Sequence, residues 1–459
     1  NHVSSICSTW GREHFKTFDG DVYQFPGMCE YNLASDCHSP YQEFSVHMKR
    51  KDNDGNPTVG YVVVTINDLS FHLTKTLVTV NGLPVHLPYY NGGVQVEKNA
   101  VYIKLQSKVG VVVMWNGDDS VMVELDADYA NRTCGLCGDF NGISVHNEFI
   151  HNGRKISSIE FGNNQKVHRP NDNCEDPYEK EDESLEAVTV HDLCKDCEQM
   201  LHSESWRSCT NQINPEPYIK ACVQDMCGCN NRSNDFCVCS TLSEFSRQCS
   251  HAGGEPPNWR TPQFCAKDCP YNMVYEESGS PCMDTCTHQD TSSMCEEHKM
   301  DGCFCPTGTV FDNISLRGCI AQTECQCKHD RIYDSGEVHR QGREECTCFE
   351  GRWACKSRQT PSTCAVEEGS HVTTFDGKTY TFHGECYYTL AKVESKGDAS
   401  PKFTILAQLV PCANQKFDTC LKTLKVLLNN DRNNVLMFSS DGTVKQNMQT
   451  ISLPFNSGG

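Results

Sequence analysis

The sequence lacks any run of about 18 apolar residues, the length that a membrane-spanning helix needs. It is also poor in positive charge: 40 Lys and Arg stand against 60 Asp and Glu, which gives a formal net charge of −20 at pH 7. The first absence argues against membrane insertion. The second argues against nucleic acid as a partner, because phosphate backbones attract basic surfaces. An acidic chain instead fits cation binding or a solvated acidic surface.

Motifs of hydrolytic enzymes are missing too. The sequence has no HExxH and no Ser/His/Asp arrangement that supports hydrolysis. No signal peptide precedes the first residues, which we therefore interpret as a processed or engineered N-terminus.

Cysteine, in contrast, is abundant. The chain has 32 cysteines among 459 residues, about 7 per cent, which approaches the range of disulfide scaffolds. Such density indicates an oxidising compartment. Three glycosylation sequons, at Asn131, Asn231 and Asn313, agree with a secreted, extracellular glycoprotein. The length predicts about three or four domains.

A long repeat organises the chain. Cys7 to Cys29 and Cys364 to Cys386 each contain Thr-Phe-Asp-Gly, with the aspartate twelve residues after the first cysteine and ten before the second. Two matched spacings with a shared tetrapeptide are unlikely to arise by chance. The second copy has only begun by residue 459, so we expect the chain to be part of a longer protein.

Residues 42–126 have the pattern of antiparallel strands. β-Branched and aromatic runs at 62–66, 77–80, 101–105 and 111–115 are separated by Asn81-Gly82, Asn91-Gly92 and Asn116-Gly117. Asn-Gly pairs tolerate the positive φ of hairpin turns. Regular short strands with such turns predict a β-sandwich, which we expect to end near Cys174.

The remaining segments predict small modules. Residues 175–190 form an acidic connector, and residues 191–229 have a helical pattern. Ten cysteines between 194 and 265 predict a small helical module held by bridges. Residues 269–325 carry eight more cysteines with little periodicity, which is typical of domains too small to be stable without disulfides.

The segment Cys134-Gly-Leu-Cys-Gly-Asp-Phe-Asn-Gly combines close cysteines, three glycines and short oxygen-bearing side chains. Asp139 and Asn141 are typical ligands for a hard cation such as Ca²⁺, although the spacing is not that of an EF-hand. Cys134 and Cys137 also form a Cys-x-x-Cys, which leaves a thiol–disulfide redox pair as an alternative. We favour structural disulfides, because nothing beside this segment resembles a thioredoxin βαβ unit.

Methionine placement raises the question of a copper site. Met114 and Met122 flank a turn centred near Asp118 and would face each other on adjacent strands, whereas Met300 lies two residues after His298. Thioethers suit Cu(I), and imidazole and carboxylate suit Cu(II). Paired strand methionines are, however, more often core filler.

The motifs at residues 7–20 and 134–142 resemble those of the D assemblies of gel-forming mucins and von Willebrand factor. The segments around Cys239 and Cys303 are most similar to the intestinal-type secreted mucin. The resemblance implies a mainly β fold with small α and disulfide-rich modules. It divides the chain into a von Willebrand type D β-sandwich (1–175), an acidic linker (176–190), an eight-cysteine helical module (191–265), a trypsin-inhibitor-like module (266–325), a small β module (326–363) and the N-terminal half of a second type D domain (364–459).

The resemblance also implies a calcium site and particular disulfides. The Ca²⁺ ligands would be Asp19, Asp139, Asn141, the Ile143 carbonyl, and Asn147 or Glu148. The bridges would be Cys7–Cys137, Cys29–Cys174 and Cys37–Cys134, while Cys412 and Cys420 resemble a local pair. Both cysteines of the Cys-x-x-Cys would then be occupied.

A copper site is implied as well. The intestinal mucin's first D assembly binds copper, and its Cu(II) ligands fall here on Glu124, His251 and His298, with its Cu(I) ligands on Met114, Met122 and Met300. One N-terminal histidine ligand of the family corresponds to Ser4, for which His2 is a nearby substitute.

We therefore expect a non-enzymatic assembly module of a secreted gel-forming mucin-like polymer. It would bind Ca²⁺, Cu(I) and Cu(II), associate with itself and with other D assemblies of the same protein, and guide disulfide-linked polymerisation in secretory granules. The alternatives are a thiol–disulfide oxidoreductase acting through Cys134 and Cys137, and protease inhibition by residues 269–325.

Overall fold

The structure is a computed structural model that describes residues 6–144, 149–178, 196–229, 235–357, 361–393, 402–413, 418–429 and 431–456. It divides the chain into two compact units. The first comprises residues 1–339 and 346–355, and the second comprises residues 340–345 and 356–459.

The first part of unit one is a β-sandwich, as the sequence predicts. Its strands are β1 (Ile6–Trp10), β2 (His14–Lys16), β3 (Val22–Gln24), β4 (Glu30–Asp36), β5 (Phe44–Asn53), β6 (Asn56–Ile66), β7 (Leu69–Leu73), β8 (Val78–Val80), β9 (Leu83–Pro84), β10 (Tyr89–Asn91), β11 (Val94–Lys98), β12 (Ile103–Ser107), β13 (Val111–Trp115), β14 (Val121–Leu125), β15 (Thr133–Cys134), β16 (Ile150–His151) and β17 (Arg154–Lys155). One sheet has the order β10-β11-β12-β13-β14-β1-β2-β3, and the other has the order β15-β4-β5-β6-β7-β8-β9.

Alternation along the strands builds the sandwich core. In β6, Val62, Val64 and Ile66 are buried, whereas the residues between them are partly exposed. A period of two places successive side chains on opposite faces of a sheet. The buried faces of both sheets join one apolar cluster that includes Phe44, Phe71, Leu105 and Val113.

The turns follow the expected chemistry with one shift. Asn81 and Gly82 both have positive φ, of 49° and 84°. At the next hairpin the positive φ falls on Gly92 and Gly93 rather than on Asn91, which is the last residue of β10. The shift moves the predicted turn by one residue, because two adjacent glycines adopt left-handed backbone more easily than asparagine does.

The helical module follows. Its helices are α2 (Asp196–Leu201), α3 (Arg207–Thr210), α4 (Glu216–Gly228) and α5 (Asp235–His251), and a short helix α1 (Ser158–Asn163) precedes them in the sandwich domain. Single 3₁₀ turns lie at Ala127–Tyr129, Glu204–Trp206 and Gln322–Glu324. The helices bury Trp206, Tyr218 and Phe245 against disulfides, together with Trp10 of β1. Helical structure therefore extends beyond residue 229, where the sequence pattern alone ended it.

The small modules that follow the helices are short hairpins held by bridges. Their strands are β18 (Val274–Gly279), β19 (Met300–Phe304), β20 (Thr309–Asp312), β21 (Gly318–Ala321), β22 (Cys327–Lys328), β23 (Ile332–Tyr333), β24 (Val338–Gln341), β25 (Glu344–Phe349) and β26 (Arg352–Ser357). Bridges Cys269–Cys303, Cys282–Cys295, Cys286–Cys325 and Cys305–Cys319 cross the first of them, and Cys327–Cys348 and Cys346–Cys355 cross the second.

Unit two repeats the beginning of the sandwich domain. Its strands are β27 (Ala365–Glu367), β28 (His371–Thr373), β29 (Thr379–Thr381), β30 (Tyr387–Lys392), β31 (Phe403–Pro411), β32 (Thr419–Leu428), β33 (Val435–Ser439), β34 (Val444–Gln446) and β35 (Gln449–Thr450). They form a three-stranded sheet and a six-stranded meander, which correspond in order to β1–β3 and β4–β9. Cys412 bonds to Cys420, and Cys364 and Cys386 are free thiols.

Candidate functional site

The Cys-x-x-Cys segment lies at the edge of the sandwich, where disulfides fix it to both sheets. Cys137 bonds to Cys7 of β1, and Cys134 bonds to Cys37 just beyond β4. Cys29–Cys174 closes the same domain. Gly135 between the two cysteines has φ +118°, and a Cβ there would lie 2.6 Å from the Leu33 carbonyl oxygen. The close approach of the two backbones therefore requires glycine.

The oxidoreductase alternative is not supported. A redox Cys-x-x-Cys needs a thiolate that can attack a partner disulfide. Here Cys134 and Cys137 bond to two distant residues rather than to each other, and the Cys137 side chain is fully buried. Both sulfurs are structural cross-links.

The loop that follows meets the Thr-Phe-Asp-Gly turn. The Asp19 carboxylate accepts hydrogen bonds from the backbone N–H groups of Gly142, at 2.7 Å, and Asn141, at 3.2 Å. The Phe18 N–H donates to the Cys137 carbonyl at 3.0 Å. Asp19 and the 139–142 loop, which are far apart in sequence, are therefore held in one small volume.

Asp139 has the features of a cation ligand. Its Oδ2 accepts from the Asn141 side-chain amide at 3.0 Å, but its Oδ1 is buried with no hydrogen-bond partner. Burial, followed by the nearby Asp19 carboxylate, raises the pKa of Asp139 above its ordinary value. A hard cation would satisfy the oxygen and offset the repulsion between the carboxylates, so these residues fit Ca²⁺. Ile143 is exposed beside them, whereas Asn147 and Glu148 lie outside the described residues.

The three methionines form a second cluster. Met114 of β13 pairs directly with Met122 of β14, which is the register that the sequence predicts. Met300, at the start of β19, joins them from the trypsin-inhibitor-like module. All three side chains are buried, at 3–4% exposure, with Tyr102 packed against them.

The imidazoles and the carboxylate lie next to this cluster. His298 Nε2 lies 2.8 Å from Glu124 Oε2, and the ring centroids of His298 and His251 are 4.4 Å apart. Burial lowers the pKa of His298, but the hydrogen bond that His298 donates to Glu124, together with the charge of that carboxylate, outweighs it, so that the net pKa is raised. Met114, Glu124, His298 and Met300 line one cavity of about 600 Å³.

His251 is the least satisfied of these groups. It ends α5, is 3% exposed, and has no hydrogen-bond partner at either Nδ1 or Nε2. Burial, and next the neighbouring His298, hold its pKa well below the ordinary value. A neutral, buried imidazole with free nitrogens is the form that binds metals, so the donor set fits copper. Ser4 and His2 lie outside the described residues.

Sequence reasoning missed the tyrosines that support this cluster. The Tyr102 hydroxyl donates to Asp301 Oδ1 and the Tyr275 hydroxyl donates to Asp301 Oδ2, both at 2.6 Å. Asp301 follows Met300 directly, so this contact fixes the methionine's strand against the sandwich. Contacts between positions 199 residues apart leave no local signal in the sequence.

A buried polar network joins the sandwich to the helical module. Ser8 Oγ donates to Glu244 at 2.7 Å, and Arg247 donates to the other oxygen of Glu244 at 2.8 Å. Nearby, His14 Nε2 lies 2.7 Å from Asp225 Oδ1. The Ser8–Glu244 contact holds α5, which ends at His251, against β1, and the His14–Asp225 contact holds α4 against β2.

Two of the three predicted glycosylation sites lie among the residues that the structure describes. Asn131 and Asn313 are exposed, as glycosylation requires, and Asn231 lies outside the described residues. Within those residues, no helix is long and apolar enough to cross a membrane.

Comparison with known proteins identifies the domain families that the chain matches. Residues 7–154 and 364–459 match the von Willebrand factor type D domain, residues 196–266 the C8 domain, and residues 269–325 the trypsin inhibitor like cysteine rich domain. The chain belongs to the von Willebrand factor type D domain family, and its module order is that of a gel-forming mucin D assembly.

Particular mucins are similar along almost the whole chain. It is 49% identical to Mucin-2 of Homo sapiens over 457 residues, which is 99% of this chain and 8% of that protein. It is 41% identical to Mucin-5AC of Homo sapiens, over 99% of this chain and 8% of that protein. It is 32% identical to Mucin-6 of Gallus gallus, over 98% of this chain and 37% of that protein. The chain thus spans a small part of each relative.

Proposed function

We propose that this chain is an assembly module of a secreted mucus-forming glycoprotein, which binds calcium and copper and guides disulfide-linked polymerisation in the secretory pathway. The family and the mucin relatives support a structural role rather than an enzymatic one. Because the chain corresponds to only 8% of human Mucin-2, the polymer, its gel and its passage through secretory granules belong to the proposal.

The observation that carries the metal-binding part is the convergence of six donors from three modules. Met114, Met122 and Glu124 come from the sandwich, His251 from the helical module, and His298 and Met300 from the trypsin-inhibitor-like module. A purely structural core would not leave His251 buried with both nitrogens unpaired, since a buried polar group without a partner costs about 1–3 kcal/mol.

The donor chemistry distinguishes two oxidation states. The three thioethers would hold Cu(I), and Glu124, His251 and His298 would hold Cu(II). Copper bound there accepts or releases one electron. The chain's own contribution is to bury the thioethers from water and to hold the two sets of donors side by side.

Competition against a calibrated Cu(I) chelator tests the methionine set. A variant with Met114→Leu, Met122→Leu and Met300→Leu keeps the side-chain volume but removes the soft sulfur donors. We expect the parent to withdraw Cu(I) from the chelator, and the triple variant to withdraw at least tenfold less.

Met294→Leu is the matched control, because Met294 is 76% exposed and lies away from the cluster. It should compete as the parent does. If the triple variant also competes as well as the parent, the methionines only fill the core and the Cu(I) proposal is wrong.

A further inference from the structure

We propose that His329 and His339, in the small β module, form a further metal site for a divalent ion that prefers imidazole ligands, such as Zn²⁺. This site uses none of the groups assigned to calcium or copper above. It rests on the hydrogen bonds around His339, which leave its buried Nε2 as an acceptor without a partner.

Two hairpins bring the residues together. His329 follows β22, Tyr333 ends β23, and His339 lies in β24. Cys327 pairs with Tyr333 across the first hairpin, and the Cys327–Cys348 bridge fixes that hairpin to β25. Tyr333 and Trp353 pack edge to face beneath them, with ring centroids 5.2 Å apart.

The tautomer of His339 follows from its neighbours. The Tyr333 hydroxyl donates to Asp330 Oδ1 at 2.7 Å and lies 2.9 Å from His339 Nδ1. The Asp330 carboxylate oxygen is the acceptor in the first of these contacts, and the Tyr333 hydroxyl is its donor. A tyrosine has one hydroxyl proton. With that proton directed to Asp330, the Tyr333 oxygen accepts from His339, and Nδ1 carries the imidazole proton.

Nε2 of His339 is then the nitrogen with the lone pair. This atom is buried and has no hydrogen-bond partner. A metal-ligating histidine usually donates its other ring N–H to an oxygen acceptor, which fixes the tautomer and the ring orientation. The Asp330–Tyr333–His339 series has that form.

His329 supplies the second imidazole. The centroids of the two rings are 4.6 Å apart, and their planes are inclined by 55°. Two imidazoles bound to one tetrahedral zinc at N–Zn distances of about 2.0–2.1 Å hold their centroids about 5 Å apart. His329 is exposed, so its ring can complete this geometry by a small rotation, with water filling the remaining positions.

The charges around the site allow a cation. The Arg331 guanidinium lies over the Tyr333 ring at 3.9 Å, and its charge is paired with Glu337 at 3.1 Å. Asp330 adds a negative charge beside the imidazoles. The pair of imidazoles with no thiolate favours zinc, copper or nickel over calcium or magnesium.

Equilibrium dialysis of the whole chain against buffered Zn²⁺, with metal counted per chain, tests the proposal. His329→Ala removes an exposed side chain and should lower the stoichiometry by one ion per chain. His288→Ala, at an exposed histidine of the neighbouring module, is the matched control and should leave the stoichiometry unchanged. Equal zinc binding by His329→Ala and the parent would overturn the proposal.

Tyr333→Phe provides a second reading that a packing role would not affect. It keeps the ring against Trp353 but removes the hydroxyl that orients His339. We expect about tenfold weaker zinc affinity at this site, the usual effect of losing an outer partner of a metal ligand, with an unchanged melting temperature in the absence of metal. Unaltered affinity would contradict the assigned role of Tyr333 and His339.

Discussion

At the residue scale, buried polar atoms without hydrogen-bond partners are the main indication of metal ligands. Asp139 Oδ1 and both nitrogens of His251 are buried and unpaired. Each belongs to a residue that the family resemblance implies as a metal ligand. A buried polar atom without a partner lowers the stability of the fold, and a bound ion would remove this cost. The expected changes in stability can therefore be measured without knowing which polymer the chain belongs to.

Calcium should stabilise the sandwich domain through Asp139. In the parent, we expect Ca²⁺ to raise the melting temperature relative to chelator, because a ligand that binds only the folded state stabilises it. In Asp139→Asn the calcium-dependent increase should largely vanish, while the melting temperature in chelator should rise slightly, because the repulsion with Asp19 is gone.

Differential scanning fluorimetry with Ca²⁺ and with chelator measures both effects. Asp68→Asn, at an exposed turn, is the control and should respond to calcium as the parent does. A parent whose melting temperature ignores chelation would rule out the calcium site.

Lys16 should make the free energy of unfolding depend on pH. It is buried and donates to the Ile6 carbonyl at 2.8 Å, and burial lowers its pKa from 10.5 to about 8. Between these two values the unfolded chain retains a proton that the folded chain has released. The free energy of unfolding should therefore rise with pH from about 8 upward.

Lys16→Met should remove this rise, and Lys51→Met, at an exposed lysine, should keep it. Urea unfolding between pH 7.5 and 9.5, after alkylation of the free thiols Cys364 and Cys386, provides the comparison. Parallel pH profiles for the parent and Lys16→Met would show that the buried ammonium does not titrate as assigned.

At the scale of elements, local patterns predicted local structure well. The β-branched run at 111–115 is β13, and the turn after it places Met114 opposite Met122 as expected. The start and end of α5 could not be read from the sequence, because this helix carries buried polar residues such as Glu244 and Gln248. They are buried only because they contact β1, 236 and 240 positions away in the chain.

The candidate site, too, could be predicted from the sequence only in part. Its residues came from the resemblance, because from the residues alone the methionines were more consistent with core filler than with metal binding. Their meeting with His251 and His298 depends on the packing of three modules. The relay from Trp10 through Thr241 to Asp225 shows how that packing is held: indole Nε1 donates to the Thr241 hydroxyl at 3.1 Å, which donates to the carboxylate at 2.7 Å.

Thr241→Val should therefore weaken the junction of β1 with α5. The substitution keeps the shape but leaves the indole N–H and one carboxylate oxygen without their partner, at a cost of about 1–3 kcal/mol. The urea midpoint of the transition reported by tryptophan fluorescence should fall. Thr76→Val, at an exposed turn, should have no such effect, and equal midpoints for the two variants would contradict the role of the relay.

For the whole molecule, charge bears on self-association. The chain has 18 histidines and a formal net charge of −20 with histidine neutral. Protonation of accessible histidines near pH 6 reduces this negative charge and the repulsion between copies. Ca²⁺, if bound as proposed, would act in the same direction.

We therefore expect sedimentation velocity to show larger species at about pH 6 with Ca²⁺ than at about pH 7.4. The same experiment with chelator at each pH separates the effect of calcium from that of protonation. Identical mass distributions under both pH conditions would argue against this chain driving assembly through its histidines.

Anomalous diffraction at the copper absorption edge, from crystals grown with Cu(I) under reducing conditions, tests the central claim most directly. The account predicts one strong peak within bonding distance of the sulfurs of Met114, Met122 and Met300, and its absence in crystals grown with chelator. A fully loaded crystal with no density among these sulfurs, or with copper only elsewhere on the chain, would contradict it.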